Sequence, residues 1–207
     1  MCGLGGSSDT KPTIKNSTWV NPHMTTTART RYDGLSITFH WLTAVTVAIA
    51  FALGPGDFPE LVKQGADPAT HLDVVWHESL GVLIFTLTFL RLIWVSLRPR
   101  PPNSQAAKWM VLAAKTVHVA LWTLLLALPI SAVLGLMTEG NPLTLLGGLR
   151  VNPSTFIANS VLNGLVDWGE VHKLLGTAIM WLAGLHAGAA LFHHFKLKDG
   201  VFRFMLP

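Results

Sequence analysis

A single cysteine, Cys2, among 207 residues removes several chemistries at once. An intramolecular disulfide, a cysteine-ligated iron–sulfur cluster and covalent c-type haem attachment all require more than one thiol from the chain. Charge is scarce as well. Asp, Glu, Lys and Arg make up 13% of the sequence against 50% hydrophobic residues, and mean hydropathy is +0.45, which excludes an ordinary soluble domain. Residues 1–31 lack the apolar core and small-residue cleavage site of a secretory signal. Rich in Gly, Ser, Thr and Asn, they read as a disordered cytoplasmic tail or extension, with Met24 an alternative start. The isoelectric point near 9.5 comes without any nucleic-acid motif, so no nucleic-acid partner is expected.

What the chain has instead is four long apolar runs, at about Ser36–Leu53, Leu72–Leu97, Trp109–Met137 and Val171–Phe195. Each is near or above the roughly 20 residues that a spanning helix needs. The expected fold is all-α: an integral membrane four-helix bundle formed by residues 32–207 as one domain. Gly54-Pro55-Gly56 ends the first run, and Pro99, Pro101 and Pro102 make a stiff connection after the second. Pro129 predicts a kink in the third. From Thr138 to Gly169 the chain is too broken by Pro and Gly to span, yet apolar enough to lie over the bundle as a cover.

All basic residues except Lys63, Arg150 and Lys173 fall on or toward the side of the two termini. The positive-inside rule then puts both termini in the cytoplasm. Asp57, Glu60, Asp67, Asp73, Glu78, Glu139, Asp167 and Glu170 make the opposite side acidic.

Four histidines carry the chemistry. His40 opens the first run and His77 the second, while His172 and His186 share the fourth. Fourteen helical residues separate that last pair by about 21 Å on nearly one face, roughly 40° short of four turns. Because the helices alternate in direction, depth pairs His77 with His172 outside and His40 with His186 inside. Neutral imidazole is a good ligand for haem iron, and two axial histidines leave no open position, so such a centre moves electrons rather than binding oxygen. Zinc or copper is the competing metal, but its ligands gather at one point and do not split two and two. Each of His77 and His172 precedes a glycine by four residues, Gly81 and Gly176, where a flat macrocycle would approach the backbone.

Arg91 lies fourteen residues after His77, at the depth of the inner pair. It either meets a haem propionate or snorkels to the headgroups. His118 either bonds a propionate or quinone oxygen or ties two helices together. His193 and His194, beside Lys196 and Lys198, are interfacial by default and also quinone candidates, about two turns below His186.

These residues resemble the bacterial cytochrome b561 family. The similarity runs through Ser36-Ile37-Thr38-Phe39-His40-Trp41, His77 with Arg91, the stretch from His118 to Pro129, and Gly184-Leu185-His186-Ala187 onward through His193-His194-Phe195 to Met205-Leu206-Pro207. It covers the chain from about Tyr32 to its end. The resemblance implies an inner-membrane cytochrome holding two haem b groups, with His40, His77, His172 and His186 as axial ligands. It would exchange electrons between a donor and the quinone pool, ubiquinone above all. In one branch of the family superoxide is oxidised at a basic outer face and ubiquinone is reduced. The alternative within the same chemistry is a haem-bearing membrane anchor for a dehydrogenase or hydrogenase subunit, and outside it a haem-free helix bundle.

Overall fold

The computed structural model describes residues 32–56, 58–98 and 107–206. The tail at 1–31 with Met24, the carboxylate Asp57 and the proline connection at 99–102 lie outside the described residues.

Four helices are long and apolar enough to cross a membrane: α1 (Gly34–Ala52), α3 (Leu72–Leu97), α4 (Lys108–Glu139) and α6 (Trp168–Phe192), the last continued to Leu197 by a π-turn. Short helices α2 (Phe58–Lys63) and α5 (Thr155–Ala158) sit in the connections. Asp33 caps α1 by accepting the Ser36 N–H at 3.0 Å, and Asp167 caps α6 by accepting the Glu170 N–H at 2.9 Å. Gly140, at φ +76°, closes α4 in the left-handed conformation that glycine reaches without a Cβ clash.

The bundle is built from two helical pairs, α1 on α3 and α4 on α6, which meet chiefly through α3 and α4. Its interior mixes hydroxyl residues with aliphatic ones, Ile84, Leu87 and Ile179 among them, while its surface is apolar. Ser36, Thr43, Thr46, Thr88 and Ser131 are buried, whereas Phe89, Leu112, Trp181 and Leu185 are exposed. That inversion suits lipid, where association depends on close packing and interhelical hydrogen bonds rather than on hiding apolar surface. Thr46 satisfies its hydroxyl on the Leu42 carbonyl at 2.7 Å, as a helix buried in apolar surroundings requires.

At the end of the bundle where α1 begins, Asp33 gathers Ser36, Trp94 and Arg98. Its carboxylate accepts from the Ser36 hydroxyl at 3.0 Å, from the Trp94 indole at 3.1 Å and from the Arg98 guanidinium at 3.1 Å. Burial alone would push this carboxyl up; the Ser36 backbone N–H and hydroxyl, joined by Arg98, outweigh it and hold the group down at about 2. A C-terminal 3₁₀ turn, Val201–Met205, lies against the same end: the Tyr32 N–H donates to Phe204 and the Trp41 indole to Met205.

The segment between α4 and α6 is more regular than the broken cover expected from its Pro and Gly residues. Leu143–Leu145 (β1) and Leu149–Val151 (β2) pair antiparallel, with Thr144 opposite Arg150. Gly147 and Gly148 turn the hairpin at φ +84° and +79°, angles open to glycine and strained for other residues. The fourth helix also departs from expectation. Its regular part ends at Phe192, and the π-turn His193–Leu197 leads to Lys198 at φ +53°.

Candidate functional site

His77, in the second turn of α3, and His172, in the second turn of α6, face each other with ring centroids 5.9 Å apart and planes at 88°. Each turns its Nδ1 toward a backbone carbonyl: His77 to Ala50 at 2.7 Å and His172 to Leu128 at 3.0 Å. A carbonyl can only accept, so both Nδ1 atoms carry the proton and both Nε2 atoms keep a lone pair. This is the arrangement that orients a metal-binding histidine and raises its basicity.

Local sequence explains why the Ala50 carbonyl is open. Continuing α1 would have aimed the Gly54 N–H at the Ala50 carbonyl, but the chain turns at Gly54-Pro55 and that N–H bonds Phe51 at 3.2 Å. A helix C-terminus thereby lends an orphan acceptor to a side chain on the next helix. Leu128 precedes the in-helix Pro129, and its carbonyl also accepts the Ser131 hydroxyl at 2.8 Å, with Ser131 3.5 Å from the His172 Nδ1.

Toward the other end of the bundle, His40 on α1 and His186 on α6 stand with centroids 6.3 Å apart and planes at 71°. Among the described residues neither ring has a carbonyl partner like those of His77 and His172. His118 on α4 lies beside them, 5.2 Å from the His186 ring. Arg91 places its guanidinium 5.0 Å over the Trp122 ring. Among the described residues no carboxylate pairs with Arg91, which leaves this half-buried cation with a π-face and no anion.

The two pairs fit a bis-imidazole metal centre. A metal–nitrogen bond of about 2 Å on each side, plus ~1.1 Å from each nitrogen to its ring centre, puts the centroids about 6.2 Å apart. Observed separations of 5.9 and 6.3 Å bracket that value. One turn after His77 and His172, a Cβ added at Gly81 meets nothing within 4 Å and one at Gly176 meets only Leu128 Cδ2 at 4.0 Å, so neither backbone position is filled by a neighbouring side chain. Among the described residues no three His, Cys, Asp or Glu side chains gather as a metal cluster, so the zinc or copper arrangement finds no counterpart there.

The remaining candidates separate. His193 bonds Asp199 through Nδ1 at 2.5 Å, and His194 packs on Phe195 and Phe202 at 4.8 and 5.1 Å. Both therefore face the C-terminal segment, and neither makes a ring contact with His118 or His186. Sequence reasoning missed the two carbonyl acceptors and Ser131. Gly54-Pro55 was the available signal for the Ala50 acceptor, because it breaks the backbone ladder at the end of α1.

The family described as prokaryotic cytochrome b561 matches residues 31–207. The chain is 32% identical over 177 residues to a protein named cytochrome b561 homolog 2 from Escherichia coli strain K12, covering 85% of this chain and 91% of that one. It is 31% identical over 187 residues to cytochrome b561 homolog 1 of the same strain, with 86% and 97% covered. A protein of Yersinia pestis named probable superoxide oxidase CybB is 29% identical over 182 residues, with 86% and 96% covered.

Proposed function

Because the chain belongs to the prokaryotic cytochrome b561 family, a family of membrane-embedded b-type haem electron carriers, we propose that it holds two haems and exchanges electrons between a donor at its outer face and the quinone pool. His77 and His172 hold the outer haem, and His40 and His186 the inner one. The observation that carries this reading is the pair of facing imidazole couples at opposite depths, each spaced for one metal ion. A bis-histidine haem supplies one-electron oxidation and reduction without an open coordination position.

The chain's own groups prepare these sites. The Ala50 and Leu128 carbonyls hold the Nδ1 protons of the outer ligands, which keeps Nε2 available. Arg91 meets a propionate of the inner haem, which gives its half-buried guanidinium an anion. His118 lies beside the inner pair, where a ubiquinone ring is bound, and His193 and His194, at the C-terminal segment, are the further candidates to hydrogen-bond its oxygens. The cationic residues near both termini put those ends in the cytoplasm of a bacterial inner membrane, so the quinone side is the cytoplasmic side.

The enzymatic form of this activity is superoxide:ubiquinone oxidoreduction, supported by the name of the Yersinia relative. Two superoxide anions would give up two electrons and leave as dioxygen, and one ubiquinone would take those electrons with two protons. One observation favours a docked redox subunit as donor instead. Each outer cation already has a carboxylate, Lys63 with Glu60 at 3.9 Å, Arg150 with Asp67 at 3.1 Å and Lys173 with Glu170 at 2.7 Å. Little free positive charge is left to steer an anion.

Stopped-flow mixing of the reduced, purified protein with a water-soluble quinone tests the inner-face assignment. A His118→Ala,His193→Ala double variant should keep its full haem content and reoxidise at least about tenfold more slowly, the cost of about one lost hydrogen bond to the quinone. An unchanged rate at full haem content would move the quinone site elsewhere.

A further inference from the structure

The outer hairpin is gripped by the residues that follow His77. Thr144 lies in β1 and Leu146 opens the turn after it, and the N–H groups of both are directed to the start of α3. The Thr144 N–H donates to the Glu78 carboxylate, and the Leu146 N–H to the Ser79 hydroxyl at 2.9 Å. Ser79 can accept because its own proton is committed to the Val75 carbonyl at 2.7 Å. On the second strand, Arg150 reaches Asp67, the cap of the turn Pro68–Thr70 that leads into α3. Acceptors at the start of α3 thus cover the open edge of β1.

The grip is buried where it matters. Thr144 is 2% exposed and Glu78 is 9% exposed. Among the described residues the Thr144 N–H is the one hydrogen-bond donor to Glu78. If the hairpin lifted, it would leave a carboxylate and an amide unsatisfied in apolar surroundings, so hairpin and α3 stay together. On a helix His77 and Glu78 point about 100° apart. The Ala50 carbonyl holds one side of this turn and the hairpin holds the adjacent side.

We propose that the hairpin Leu143–Val151 is part of the outer haem site and that Glu78 is a positioning residue, fixing the rotation of α3 at which His77 presents Nε2 to the metal. This rests on the reading that His77 and His172 hold a haem. The signature is the angle between the two imidazole planes, 88° here, because the largest g value of a low-spin ferric bis-histidine haem follows that angle.

Electron paramagnetic resonance and hydrogen exchange on the purified full-length holoprotein test it with three variants. Glu78→Gln keeps an oxygen acceptor and should leave the outer-haem g value and the exchange of the hairpin amides near wild type. Glu78→Leu and Thr144→Pro each delete one partner. They should shift the outer g value and speed exchange across residues 143–151 about tenfold, for the loss of a hydrogen bond, while the inner-haem signal stays put. Unchanged g value and exchange in both would overturn the proposal. Should Glu78→Leu lose both haems through misfolding, Thr144→Pro decides by the same two readouts, since its change lies in the hairpin alone. A wild-type protein with no outer low-spin signal would sink the haem assignment, whereas the exchange rates would still report on the grip.

Discussion

The proton on an imidazole is placed by whatever accepts it, and for His77 and His172 the acceptor is a main-chain carbonyl that no side-chain mutation removes. The His77–His172 couple is therefore pre-set in one tautomer, whereas the His40–His186 couple gets its surroundings from side chains, His118 and Arg91 among them. This difference makes the couples distinguishable by mutation. His77→Ala and His172→Ala should each lose one low-spin haem and share one residual spectrum. His40→Ala and His186→Ala should lose the other and share a different one, because removing either axial ligand breaks low-spin coordination. Low-temperature reduced-minus-oxidised spectra of the four variants check this. If His77→Ala matched His40→Ala instead, the pairing by depth would be wrong.

Among the elements, the spanning helices were legible because length and hydropathy are enough to mark them: α3 runs from Leu72 to Leu97 as read, and α1, α4 and α6 start within three residues of expectation. The four histidines were legible for a related reason, since a helix turns residue spacing into depth. The hairpin was not. Strands of three residues carry no periodicity, and the Gly147-Gly148 turn that makes them possible was read as a break. Nor did the sequence announce which helix ends would lend acceptors, because the Ala50–His77 bond joins residues 27 apart through the turn after α1.

The Asp33 knot at the start of α1 gives a prediction at this scale. Its carboxyl is held at about 2, below its ordinary value of 3.8. Stability from the charged form is thus fully present above about pH 4 and is lost as pH falls through 2. Asp33→Ala should cost about 1 kcal/mol at neutral pH, through the lost cap and the lost Arg98 partner. Thermal scans in detergent should show the gap between wild type and variant closing from pH 4 to pH 2. A gap independent of pH would mean that the cap acts through shape alone.

Across the whole molecule, two helical pairs pack together, turn apolar side chains to lipid and hold facing histidines at two depths on α6, fourteen residues apart. One end of the bundle carries a hairpin fastened to α3, the other a C-terminal turn fastened to Tyr32 and Trp41. Both histidine couples lie between these ends, which is the arrangement a relay across a membrane needs. The central claim is that each couple holds its own non-covalent haem. Pyridine haemochrome assay of the purified protein, with chain concentration from amino-acid analysis, measures it directly. The account predicts two b-type haems per chain, both extracted by acid–acetone; one haem per chain, or haem that stays with the denatured polypeptide, would contradict it.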